Sequence, residues 1–101
     1  MTLSSGVILP VEKISEICRR YQVRELSVFG SAARGDMRPD SDIDLLVEFE
    51  PDARIGLFKF AGMEHEFSDL LGRKVDLVSK LGLKPWIRPH VLRDAKVLYA
   101  A

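Results

Sequence analysis

A chain of 101 residues can build one modest hydrophobic core but not two, so we expect a single domain over residues 1–101, with residues 1–9 as a flexible lead-in. The composition, 47% apolar and 30% charged residues, excludes a disordered chain. The formal net charge of zero argues against nucleic acid as the main ligand, because binding a phosphate backbone needs a basic surplus.

The cysteine content and the N-terminal residues indicate the compartment. A single cysteine, Cys18, cannot form an internal disulfide, which fits a reducing environment. Residues 1–10 lack the basic start and long apolar run of a signal peptide, and no apolar segment approaches the ~20 residues that span a membrane. We therefore expect a cytoplasmic protein.

The first half of the chain predicts alternating helices and strands. Pro10 suits a helix start, and apolar residues at helical spacing follow it, with Cys18 on the apolar stripe and therefore interpreted as a core residue. Period-two alternation after a turn-rich loop at 36–41 indicates a strand with one buried face. The predicted elements are a helix over 10–22, a strand over Leu26–Phe29, a short helix over Ser31–Arg34 and a strand over Asp42–Phe49.

The second half continues the alternation after a loop at Glu50–Gly56. Pro89 argues against one unbroken helix from Pro85, so we expect either a kink or a fresh helix start at Pro89. We also expect Trp86 to pack against the sheet. The orientation of the first two strands stays open. The predicted elements are a helix after Gly56 that is ended by Gly72, a strand over Val75–Val78 and a last strand over Val97–Tyr99. The apolar residues of that helix, at spacings of three and four, are Phe60, Met63, Phe67, Leu70 and Leu71.

A glycine–serine turn follows the first predicted strand. Gly30 permits close approach of the backbone to a phosphate, and Ser31 adds a hydroxyl where free N–H groups at a helix start favour anions. The same pair is also an ordinary helix start, because serine is a common N-cap residue. The turn alone leaves a phosphate site and a structural turn about equally supported.

Asp42 and Asp44 lie two residues apart, so on a strand they point to the same face. Two such carboxylates repel each other, and pairs of this kind persist when a divalent cation or a basic residue from elsewhere neutralises them. Mg²⁺ prefers one or two carboxylates together with substrate phosphate oxygens. The pair therefore favours a magnesium site that also binds a nucleoside triphosphate.

Asp76 is the only charge within the strand predicted over Val75–Val78. If that strand lies next to the one that carries Asp42 and Asp44, three carboxylates converge. Such a set can hold two metal ions about 3.5–4 Å apart and support an in-line transfer at phosphorus. Asp76 is then placed to bind the activating ion and to accept the proton of the acceptor hydroxyl.

These motifs resemble the minimal nucleotidyltransferases of the DNA polymerase beta superfamily. The resemblance rests on Gly30-Ser31-x-x-Arg34-Gly35, Ser41-Asp42-x-Asp44-Leu45-Leu46-Val47 and Val75-Asp76-Leu77-Val78, and covers about Val23 to Tyr99. It implies an α/β fold, a small mixed sheet flanked by helices, with Ser31 binding the triphosphate and the three aspartates binding metal. It also implies an antitoxin role beside a HEPN-domain toxin, which some members inactivate by transferring AMP from ATP to a tyrosine.

Arg34 has two interpretations, a contact with the triphosphate or an ion pair with Asp36 or Asp40 that holds the loop. His65 and His90 are isolated in the sequence, and we interpret His65 as a solvated helix residue. The leading hypothesis is a Mg²⁺-dependent nucleotidyltransferase that uses ATP and modifies a partner protein. The alternative is a binding module that neutralises its partner by occlusion, without chemistry.

Overall fold

The structure is a computed structural model that describes residues 1–3 and 6–101. None of the helices in these ranges is both long and apolar enough to cross a lipid bilayer. The helices are α1 (Val11–Arg20), α2 (Gly30–Arg34), α3 (Leu57–Leu71) and α4 (Arg88–Asp94), and the strands are β1 (Val23–Phe29), β2 (Ile43–Phe49), β3 (Val75–Ser79) and β4 (Lys96–Ala100).

The strands form one sheet in the order β3-β2-β1-β4. β1 runs antiparallel to both β2 and β4, whereas β2 and β3 are parallel. A parallel pair needs a crossover connection, and α3 provides it. The mixed sheet with flanking helices confirms the predicted fold class. The first two strands, whose relative orientation the sequence left open, are antiparallel.

The hydrophobic core lies between the sheet and the helices α1 and α3. On β2 the alternate residues Ile43, Leu45 and Val47 are fully buried, as their spacing predicts, and Phe49 at the strand end is partly buried. Cys18 is fully buried, which confirms it as a core residue, and this burial raises the pKa of its thiol to about 12. The two helices also bury Ile14, Ile17, Met63 and Phe67.

One predicted element begins earlier than expected, and another begins where its predicted loop ends. β1 starts at Val23 rather than Leu26, because Val23 is buried and pairs with Phe49 of β2. α3 starts at Leu57, directly after the predicted loop at Glu50–Gly56, and the exposed Leu57 is not part of the apolar stripe that begins at Phe60. The predicted end of α3 is confirmed, since Gly72 caps it with a φ of 64°.

Pro89 lies in the first turn of α4, which starts at Arg88, and this confirms the alternative of a fresh helix start. The expectation that Trp86 packs against the sheet is wrong, since Trp86 is 71% exposed. It lies in the turn before α4, with the Lys84 ammonium 6.0 Å from the centroid of its ring. Val91 of α4 is the apolar residue that is buried there instead.

The described residues of the N-terminal segment pack against the fold. Leu3 and Leu9 are buried, and Thr2 forms a β-bridge with Ile8. The Met1 ammonium donates a hydrogen bond to the carbonyl of Leu9 at 2.8 Å. Residues 4 and 5 of the expected flexible lead-in lie outside the described residues.

Candidate active site

The turn after β1 lies directly against β2. Phe29 at the end of β1 is paired with Asp44, and Gly30 follows with a φ of 71°, in the left-handed region that favours glycine. A Cβ atom at Gly30 would overlap the Asp44 Oδ2 atom. Glycine at this position is therefore what lets the turn approach the carboxylate so closely.

Asp44 and Asp76 are direct neighbours across the parallel pair of β2 and β3. Because paired residues on adjacent strands point to the same face, the two carboxylates lie side by side. Asp44 is half-buried beside the Gly30 turn, whereas Asp76 is exposed. The Asp44 carboxylate is thus partly shielded from solvent, whereas the Asp76 carboxylate is accessible at the edge of the sheet.

Asp42 lies one residue before β2, and its Oδ2 atom is 3.8 Å from the Lys74 ammonium. Within residues 1–3 and 6–101, no three side chains of His, Cys, Asp or Glu are grouped closely enough to hold a metal ion. The structure therefore brings Asp44 and Asp76 together on adjacent strands, and it leaves Asp42 beside them with a lysine as its nearest cation.

The loop before Asp42 is held by two polar contacts. The Ser41 hydroxyl oxygen accepts a hydrogen bond from the backbone N–H of Arg38 at 2.9 Å. The guanidinium of Arg73 donates to the carbonyl of Ser41 at 3.2 Å. These contacts fix the backbone next to Asp42 to the end of α3, so the loop is part of the scaffold of the site.

The neighbouring carboxylates act electrostatically on Asp44. Burial is the largest cause that raises the pKa of the Asp44 carboxyl, followed by the negative charges of Asp76 and Asp42, while Arg34 acts in the opposite direction. The charged form of Asp44 is therefore disfavoured in the protein alone. A cation bound between the carboxylates would remove this penalty.

Arg34 forms ion pairs at 3.3 Å with both Asp36 and Asp94. The predicted pair with Asp36 is thus present, whereas the alternative Asp40 is replaced by Asp94 of α4. Asp94 is 60 residues away in the chain, so nothing local in the sequence could reveal it. Arg34 consequently links α2 to α4 at the rim of the site.

A cavity of about 370 Å³ opens between the Gly30 turn and α4. Some of its lining residues belong to the motifs described above. His90, which is isolated in the sequence, also lines the cavity. A histidine contributes no periodic pattern that could have placed it here. The lining residues are Phe29, Gly30, Ser31, Arg34 and Asp44 on one side, and Ile87, His90, Val91 and Asp94 on the other.

Comparisons with known proteins agree with this geometry. A family model described as "Nucleotidyltransferase domain" matches residues 11–98. The protein adenylyltransferase MntA of Thermococcus cleftensis is 47% identical over 79 residues, which cover 78% of this chain and 78% of MntA.

Two solved structures have a similar fold. A putative minimal nucleotidyltransferase is 43% identical with a TM-score of 0.73, covering 85% of this chain and 86% of that one. The second is a complex of the tri-AMPylated HEPN toxin of Shewanella oneidensis with its MNT antitoxin, at 19% identity and a TM-score of 0.67, covering 90% of this chain and 70% of that one. At 19% identity, the similarity to the Shewanella complex shows a common fold and nothing further.

Proposed function

The chain belongs to the family of nucleotidyltransferase domains, and on this basis we propose that it transfers AMP from ATP to a hydroxyl group of a partner protein, a HEPN-domain toxin. The observation that carries the proposal is the pairing of Asp44 with Asp76 against the Gly30 turn. The activity named for the Thermococcus relative supports AMP as the transferred group. The AMPylated HEPN toxin of the Shewanella complex supports the class of partner.

The turn side of the cavity is assigned to the triphosphate. Ser31 presents a hydroxyl that donates a hydrogen bond to a phosphate oxygen, and Arg34 presents a planar guanidinium that suits two phosphate oxygens at once. Both line the same cavity as Asp44, next to which Gly30 leaves room for the ligand. ATP bound in this way would have its phosphates beside the carboxylates.

Asp42, Asp44 and Asp76 are assigned as ligands of Mg²⁺. The donor set fits, because carboxylate oxygens are what this hard cation prefers and because the raised pKa of Asp44 marks a charge without sufficient compensation. Two bound ions would supply charge stabilisation for the phosphates and activation of the attacking hydroxyl. The incoming triphosphate would complete a ligand set that the three side chains alone leave open.

The exposed position of Asp76 suits the acceptor side of the reaction. Asp76 accepts the proton of the partner's hydroxyl while the hydroxyl oxygen bonds to the α-phosphorus of ATP. The bond from the α-phosphorus to the bridging oxygen breaks, and pyrophosphate leaves. Because the acceptor belongs to another protein, this end of the site has to be open to a macromolecule. We place this two-protein reaction in the cytoplasm, in keeping with the single, buried cysteine.

The proposal is tested by incubating the protein with α-³²P-ATP, Mg²⁺ and the protein encoded beside it. We expect label on the partner, loss of label in the Asp44→Asn variant and retention of label in Asp52→Asn. Asp52 is an exposed loop residue, so this control makes the same chemical change outside the site. Labelling that survives Asp44→Asn, or a partner that stays unlabelled with every nucleoside triphosphate, contradicts the proposal.

The competing hypothesis is a non-catalytic antitoxin that neutralises its partner by occlusion. It predicts that Asp44→Asn protects cells from the partner as well as the wild type does. Transfer chemistry predicts that this variant loses protection while it still co-purifies with the partner. A growth assay and a pull-down on the same pair of proteins separate the two hypotheses.

A further inference from the structure

β3 is an edge strand, and its backbone groups alternate between the sheet and the outside. The N–H of Ile43 on β2 donates to the carbonyl of Lys74 at 3.0 Å, so the backbone groups of Lys74 point towards β2. Because this direction alternates along a strand, those of Asp76 also point to β2, and those of Val75 and Leu77 point outwards. An edge strand usually leaves such outward N–H groups to water or to another chain.

Side chains of α3 bind the outward N–H groups of Val75 and Leu77. The Ser68 hydroxyl oxygen accepts the N–H of Val75 at 3.0 Å, and the Glu64 Oε2 atom accepts the N–H of Leu77 at 2.8 Å. Ser68 also donates to the carbonyl of Glu64 at 3.0 Å, so the two acceptors are linked within one turn of the helix. The strand is thus bonded to α3 on either side of Asp76 and to β2 at Asp76 itself.

This attachment opposes a repulsion. Asp44 and Asp76 are paired like charges on adjacent strands, so their repulsion tends to push the edge strand away from β2. Hydrogen bonds on the outer side of β3 keep the strand from shifting or twisting under that force.

We propose that Glu64 and Ser68 are positioning residues for the carboxylate of Asp76, holding it beside Asp44 in readiness for a divalent cation. This inference rests on the proposed function, because it assumes that the two aspartates bind metal together. The relevant property of Glu64 is its hydrogen-bond acceptor and not its charge. Removing the acceptor should therefore weaken cation binding, and restoring an uncharged acceptor should rescue it.

The chain offers a matched set of variants on one helix. Glu64→Ala and Ser68→Ala remove the acceptors, whereas Glu64→Gln and Ser68→Thr keep an oxygen in place. Glu66→Ala is the control, because Glu66 binds Arg20 and Tyr21 and makes no hydrogen bond to β3 among the described residues. It removes the same side-chain atoms from α3 and leaves the attachment of Asp76 intact.

The test measures cation binding and backbone protection, without requiring turnover. Mg²⁺ is titrated in the presence of a non-hydrolysable ATP analogue, and thermal stabilisation gives the half-saturating concentration. Amide hydrogen exchange by NMR reports on Val75 and Leu77. We expect Glu64→Ala and Ser68→Ala to raise the half-saturating Mg²⁺ concentration about 10- to 100-fold, the usual effect of losing a group that orients a metal ligand. Glu64→Gln, Ser68→Thr and Glu66→Ala should stay close to the wild type.

Faster exchange at Leu77 in Glu64→Ala with an unchanged Mg²⁺ half-saturation would overturn the proposal, since the contact would then only protect the sheet edge. An equal loss in Glu64→Gln and Glu64→Ala would also overturn it, because charge would be the cause. A wild type that binds Mg²⁺ and the analogue but transfers nothing contradicts the proposed function alone. A wild type without any Mg²⁺ response contradicts both.

Discussion

The two halves of the candidate site differ in how far the protein itself neutralises their charged side chains. In the turn side, formed by Gly30, Ser31 and Arg34, the guanidinium already has two carboxylate partners in Asp36 and Asp94. In the carboxylate side, formed by Asp42, Asp44 and Asp76, like charges face each other, and among these three only Asp42 has a cation within ion-pair distance in the described structure.

This difference indicates what each half needs from a ligand. The turn side is organised in the protein alone, so a triphosphate must compete for Arg34 with contacts that already exist. On the carboxylate side, Asp42 has Lys74 as a partner, whereas Asp44 and Asp76 form no ion pair among the described residues. A cation bound between Asp44 and Asp76 would therefore add stability without displacing a partner of either. Nucleotide and metal should therefore have different effects on stability. Variants on the turn side and variants on the carboxylate side should change the stability of the metal-free protein in opposite directions.

The largest effect is expected for Asp44→Asn. Transfer should fall roughly 100- to 1,000-fold, the range for loss of one preorganised electrostatic contact, while the melting temperature of the metal-free protein should rise because a strained charge is removed. Labelled-ATP assays and thermal unfolding in EDTA measure the two changes. Asp52→Asn should alter neither, and a metal-free melting temperature that falls in Asp44→Asn would contradict the strain at Asp44.

The approach of the turn to Asp44 is tested by comparing two glycines with positive φ. Gly72→Ala has open space around its Cβ and should lose only about 1–2 kcal/mol for the left-handed backbone. Gly30→Ala has the same backbone strain and also overlaps Asp44, so it should lose about 1–3 kcal/mol more and most of its activity. Urea unfolding of both variants measures the difference. Equal losses would mean that the turn can move away from Asp44 at little cost.

The strand alternation explains why much of this arrangement could be predicted from the sequence. Period-two burial of Ile43, Leu45 and Val47 fixes which face of β2 is buried, and this leaves Asp44 on the other face. The parallel register that sets Asp76 beside Asp44 depends on how α3 crosses over the sheet, and no local pattern encodes it.

Other contacts depend on tertiary packing alone. Asp94 reaches Arg34, and His90 reaches the cavity, only because α4 docks beside α2. The exposed position of Trp86 follows from the same docking, since the chain turns before Arg88 and leaves the indole outside. In each case the side chain itself carries no periodic signal, so composition and spacing could not locate it.

A triphosphate has to compete with Asp36 and Asp94 for Arg34. Variants at Arg34 and Asp94 should therefore change the affinity for an ATP analogue in opposite directions, with a smaller effect than the variants above. Arg34→Lys should weaken binding of an ATP analogue about tenfold, because lysine lacks the planar pair of donors. Asp94→Asn should strengthen binding roughly two- to fivefold, because it removes the charge of a competing partner that lines the cavity. Isothermal titration calorimetry measures both. Weaker binding in Asp94→Asn would show instead that Asp94 orients Arg34 for the phosphates.

The smallest effect is a difference in pH dependence between Asp44 and Glu66. The pKa of Asp44 is raised, chiefly by burial, so the metal-free native state takes up a proton there more readily than the unfolded chain, and stability from this group increases as the pH falls through its folded pKa. The pKa of Glu66 is lowered by its hydrogen bonds to Arg20 and Tyr21, so its contribution is lost as the pH falls. The free energy of unfolding is measured without metal for the wild type, Asp44→Asn and Glu66→Gln over the acidic pH range in which carboxyl groups titrate. The difference between the wild type and each variant gives the contribution of that carboxyl group. The two contributions should change with pH in opposite directions. Saturating Mg²⁺ and ATP analogue should reverse the slope for Asp44 alone, since bound cations favour its charged form, and a slope unaffected by the ligands would remove Asp44 from the metal site.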